Sequence, residues 1–184
     1  TSFLFNNKLM ENKCLLFENA KVNYKTYGSG KPIVLIHGFG EDGAIWDAQV
    51  SFLQDKYFLI IPDLPGTGES KLLKKETVSL NDYAEVITAI ILAEKISSVI
   101  MIGHSMGGYI TLAFGEKYPE MLSGFGLFHS GAYADDAEKI AIRKKAIEFI
   151  VQHGSNAFLK TSIPGLFLDP IKSKAKIDTQ IVKG

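Results

Sequence analysis

Three runs, residues 32–36 (Pro-Ile-Val-Leu-Ile), 57–61 (Tyr-Phe-Leu-Ile-Ile) and 98–102 (Ser-Val-Ile-Met-Ile), are apolar at nearly every position. A strand with one wet face alternates polar and apolar side chains. A run without alternation needs cover on both faces, as parallel strands have when helices lie on either side. Residues 124–128 make a weaker fourth run, diluted by Gly124 and Gly126. Between the runs lie helical patterns: a short one at 44–53, a second at 81–94 and a third at 106–118, stopping before Pro119. In the second, Ala84, Ile87, Ile91 and Leu92 fall at helical spacing. Residues 13–17 and 21–27 read as short antiparallel strands closed by Gly28-Ser29-Gly30. The order predicts an α/β fold, a doubly wound and mostly parallel sheet with an antiparallel start.

The pattern changes after the fourth run. Asp135-Asp136-Ala137-Glu138 offers a capping-box start, and a helix is expected to about His153, with Gly154 as its stop. Ile140, Ile147, Ile150 and Val151 form its expected apolar stripe, opposite Arg143, Lys144 and Glu148. Residues 157–161 and 171–181 again read as helix, with a loose stretch at 163–170 between them. The chain is therefore parsed as an amino-terminal extension (1–12), an α/β core (13–131) and a helical segment (132–184). Residues 1–9 lack the order of a secretory signal, and Met10 is a candidate natural start.

Composition narrows the function. Of 184 residues, 46% are apolar, enough for one packed core. Twenty basic side chains balance twenty acidic ones, so no excess charge points to nucleic acid. No apolar run reaches the roughly 18 residues of a membrane span. The lone Cys14 excludes an intrachain disulfide and a cysteine-built metal site, and the expected location is cytoplasmic. His37, His104, His129 and His153 lack ligand spacing. Neither Gly66-Thr67-Gly68 nor residues 103–108 match a phosphate cradle, so no metal or cofactor is expected.

Gly103-His104-Ser105-Met106-Gly107 fits G-x-S-x-G between an expected strand and an expected helix. A serine on so sharp a turn needs a rare backbone conformation, and the flanking glycines make room for it. The turn lifts the hydroxyl to the carboxyl edge of the sheet, where open α/β folds place their sites, facing helix amides. His37-Gly38-Phe39-Gly40 leaves the 32–36 strand where an oxyanion loop would sit. The backbone N–H groups of Phe39 and Met106 are the expected oxyanion donors, and losing one such donor typically costs about 10²–10³ in turnover.

With Asp63-Leu64-Pro65-Gly66-Thr67-Gly68-Glu69-Ser70 added, residues 13 to about 130 resemble the amino-terminal two-thirds of an α/β-hydrolase fold protein. The resemblance implies that Ser105 is the nucleophile and that residues from about 132 begin a helical cap. Serine at this position argues against the epoxide hydrolase and haloalkane dehalogenase branches, which use aspartate. His129, Leu166 and Phe167 are candidates for lining the pocket. His104 is expected to pack, His37 to fix its loop, Asp63 and Gly66–Gly68 to shape a turn, and Trp46 and Phe52 to enter the core.

The family's triad runs serine, acid, histidine in chain order, the last two at the ends of later strands. No such strands follow Phe128, and the helical pattern continues toward Gly184. The expectation is a longer parent protein whose remaining strands carry the acid and the base, this chain alone being inactive. The 124–128 strand would then be an open sheet edge able to recruit another copy. The expected activity is serine hydrolysis of a small carboxylic ester or related acyl compound. Cofactor-free perhydrolase or acyltransferase chemistry is one alternative, and a catalytically inactive fragment or binding module the other.

Overall fold

The computed structural model describes residues 10–166. Six strands, β1 (Glu11–Phe17), β2 (Ala20–Tyr27), β3 (Lys31–Ile36), β4 (Tyr57–Pro62), β5 (Val99–His104) and β6 (Leu122–Phe128), form one sheet in the order β1-β2-β4-β3-β5-β6. β2 runs antiparallel to β1 and β4, while β3–β4, β3–β5 and β5–β6 are parallel pairs. The β1–β2 hairpin closes on Glu18 and Asn19, both with positive φ (46° and 65°), as a tight two-residue turn requires.

Helices α1 (Asp47–Leu53), α2 (Leu80–Ala93) and α3 (Met106–Lys117) connect the parallel strands. The strands split their side chains between two cores. Val34, Ile36, Ile60, Val99 and Met101 meet Ile87, Ile90, Ile91, Ile110 and Phe114 of α2 and α3 on one face. Ile33, Leu35, Leu59 and Ile61 meet Trp46 and Val50 on the other. Runs that do not alternate are thus buried on both sides, each large side chain contributing about 1.5–3 kcal/mol. Ser79 starts α2 with a full capping box against Asp82.

Several details depart from the sequence reading. Residues 44–53 are not one helix but a 3₁₀ turn, Gly43–Trp46, followed by α1. Trp46 is buried, whereas Phe52 is 80% exposed. α1 turns Val50 inward, and a residue two positions on falls about 200° around the helix. Leu92 is likewise exposed, and Val86 and Ile90 take the inward face of α2 instead.

The chain divides into two compact units, 1–132 and 133–184. The second holds α4 (Ala137–His153), α5 (Ser155–Ser162) and a 3₁₀ turn, Ile163–Leu166. Asp136 alone caps α4, accepting from the Lys139 amide at 2.8 Å, in place of a reciprocal box. Gly154, at φ 83°, ends the helix. No α4 side chain is buried, the expected stripe of Ile140, Ile147 and Val151 included. Phe149 packs its ring against His153 and Phe158. The expected helix at 171–181 and residues 1–9, upstream of the candidate start Met10, lie outside the described residues. No described helix is long and apolar enough to cross a membrane.

Candidate active site

Ser105 joins β5 to α3 with φ 50° and ψ −114°, a left-handed region that side chains rarely enter. The turn is too tight for side chains nearby. A methyl group on Gly107 would lie 2.5 Å from the Ile36 carbonyl oxygen and 2.7 Å from that of His37. One on Gly103 would collide with the Gly107 carbonyl, and one on Gly108 with Ser130. The first turn of α3 therefore rests directly on the end of β3. On its other side, the Ser105 amide donates to the Phe128 carbonyl at 3.0 Å, tying the turn to β6. Amides in a first helical turn have no intrahelical acceptor, and that of Met106 is among them.

The loop after β3 is held by a buried imidazole. His37 Nε2 accepts the Leu64 amide at 3.0 Å, so the ring proton sits on Nδ1 and is donated to the Gly38 carbonyl at 2.8 Å. Burial pushes the His37 pKa below its usual value, against the opposing pull of that carbonyl and of Asp63, Glu41 and Asp42. A trans peptide points its N–H opposite to its C=O, so the Phe39 amide faces away from the His37 ring. The Gly38 amide donates to Glu41 Oε2 at 2.6 Å. A methyl group on Gly38 would lie 3.0 Å from Ser105 Cβ and 3.3 Å from His104 Nδ1. Loop and elbow are thus in contact at Gly38. Asp63 fixes the turn after β4, accepting the amides of Gly43 and Glu69.

His104 does more than pack. Its Nδ1 lies 2.8 Å from Glu41 Oε2, and its ring stands 5.9 Å from that of Phe128. His129 follows β6 with φ 46°, exposed, its ring edge-on to Phe128 at 4.7 Å and 6.3 Å from His104. Trp46 stands 6.3 Å from Phe128, and its Nε1 and the Ser130 hydroxyl are buried with no hydrogen-bond partner among the described residues.

Of the residues singled out in the sequence, Ser105, Met106, Phe39 and His129 all lie at the carboxyl edge of the sheet. Leu166 ends the Ile163–Leu166 turn of the second unit, and Phe167 lies outside the described residues. Among the described residues nothing hydrogen-bonds the Ser105 hydroxyl, and no three His, Cys, Asp or Glu side chains gather as a metal cluster. The sequence reading passed over Glu41; the signal was an acidic residue directly after His37-Gly38-Phe39-Gly40.

The family model for the alpha/beta hydrolase fold matches residues 31–139. The (E)-2-((N-methylformamido)methylene)succinate hydrolase of Acinetobacter baylyi is 28% identical over 131 residues, 71% of this chain and 49% of that protein. The pimeloyl-[acyl-carrier protein] methyl ester esterase of Aeromonas hydrophila is 36% identical over 101 residues, 55% of this chain and 38% of its own length. A thermophilic esterase from Thermogutta terrifontis, solved with malate bound, superposes with a TM-score of 0.75 at 27% identity, over 84% of this chain and 58% of that one. The chain spans half or less of the length of these two curated relatives.

Proposed function

Because the chain belongs to the α/β hydrolase fold family, we propose that it carries the nucleophile and oxyanion machinery of a serine hydrolase acting on a small carboxylic ester or related acyl compound. Ser105 Oγ attacks the acyl carbonyl. The Phe39 and Met106 amides receive the oxygen as it becomes anionic, the alcohol leaves, and water resolves the acyl-enzyme. The observation that carries this reading is the strained backbone of Ser105, held against Gly38 of the neighbouring loop. Strain of this kind costs about 1–3 kcal/mol and persists where function needs it. The hydrolase and esterase relatives support acyl chemistry on carboxylic compounds. His129, at the end of β6, is proposed to line the acyl pocket.

A serine hydroxyl needs a base, and in this proposal the histidine and its acid come from polypeptide outside these residues, since the matched relatives are much longer. Perhydrolase or acyl-transfer chemistry would use the same groups and differ only in what resolves the acyl-enzyme. In the intact protein, a fluorophosphonate probe is expected to label Ser105, and Ser105→Ala to abolish both labelling and ester hydrolysis. Hydrolysis that survives Ser105→Ala would overturn the proposal.

A further inference from the structure

We infer that Glu41 is a positioning residue for the reaction proposed at Ser105, its carboxylate clamping the oxyanion loop to the elbow. The inference rests on the serine-hydrolase reading and adds to it a group outside the nucleophile and its two donors. One oxygen, Oε2, takes both partners: the Gly38 amide at 2.6 Å and His104 Nδ1 at 2.8 Å. Gly38 belongs to the loop after β3, and His104 is the last residue of β5, directly before Ser105. No other described side chain hydrogen-bonds to both segments.

The need for such a clamp follows from Gly38 itself. Two rigid peptide planes meet at its Cα, and only φ and ψ set the angle between them. Glycine leaves both torsions looser than any other residue does. A side chain there is excluded, because a methyl group would press on Glu41 Oε2 at 2.9 Å and on Ser105 Cβ at 3.0 Å. The planes must therefore be fixed from outside. His37 holds the second plane through the Gly38 carbonyl, and Glu41 holds the first through the Gly38 amide. With both held, the Phe39 N–H has one direction. Through His104, the same carboxylate ties that direction to the elbow bearing Ser105. The work asked of Glu41 is hydrogen-bond acceptance, not charge, so a glutamine oxygen can replace it.

The test uses the intact protein with p-nitrophenyl acetate and a fluorophosphonate probe. Glu41→Ala is expected to lower kcat by about 10–100-fold with KM nearly unchanged, since a misplaced donor weakens the transition state and not substrate binding. Glu41→Gln is expected to restore most of kcat, and phosphonylation of Ser105 to slow in parallel with kcat across the variants. If Glu41→Ala does not fold, Glu41→Asp, one methylene short of the bridge, is expected to show the same loss in kcat. Wild-type kcat in Glu41→Ala would overturn the clamp, as would a loss in Glu41→Gln equal to that in Glu41→Ala. A change confined to KM would overturn it too. Failure of the probe to label wild-type Ser105 defeats the hydrolase reading instead, so the two failures are distinguishable.

Discussion

The His37 imidazole is useful to its loop only while neutral, because Nε2 must keep a lone pair for the Leu64 amide. Burial lowers its pKa below 6.5, so the unfolded chain takes up the proton first as pH falls. The sign follows: this contribution to stability is complete above about pH 6.5 and declines below it, by at most about 1.4 kcal/mol per pH unit, down to the folded-state pKa. Urea midpoints measured from about pH 7.5 to about pH 5 should therefore fall, and fall less steeply in His37→Gln, whose amide does not titrate. An equal slope in both proteins would show that another group is responsible. At this scale the sequence was uneven. Ser105 and His37 stand in short fixed patterns, so their positions could be read directly. Glu41 could not, because its role depends on His104, which lies 63 residues further along the chain. Phe52 misled for the opposite reason. Large apolar side chains are usually inside, but which way a two-turn helix faces is decided by its packing, not its composition.

Elements were easier to read where burial is two-sided. β3, β4 and β5 show no alternation because both their faces are covered, and that signal survives without any structure. Helix ends and the split of residues 43–53 into a 3₁₀ turn and α1 were less legible, since local hydrogen bonds such as that of Asp42 to the Ala44 amide choose among near-equal turns. The β5–α3 junction gives a sharp prediction at this scale. Gly107→Ala puts a methyl group 2.5 Å from a β3 carbonyl, so it should cost about 1–3 kcal/mol or more and reduce Ser105 labelling. Gly124→Ala on β6 meets only Ile100, at 3.9 Å, and should leave the midpoint unchanged or raised. Chemical denaturation of the pair checks both. Equal effects would mean that α3 can lift away from β3.

For the whole molecule, the sheet order puts β6 at one margin, paired among the described residues with β5 alone, with Phe125 57% and Phe128 50% exposed. A strand margin of that kind templates another chain. We therefore expect a protein made of only these 184 residues to sediment above its 20.2 kDa monomer mass, and Phe125→Lys to return it toward monomer. A monomeric wild type at high concentration would refute this. The fold class was legible at this scale because alternating strands and helices admit few topologies. The adjacency of β3 and β5 has a last consequence. The two amides proposed to hold an anion lie just past the ends of neighbouring strands, Phe39 in the loop after β3 and Met106 at the start of α3, so their separation follows the spacing of sheet hydrogen bonds and not the path of the intervening polypeptide. The exposed stretch at 74–78 on that path should thus be a seam where foreign sequence could be spliced in, leaving the receptacle for the anion as it was.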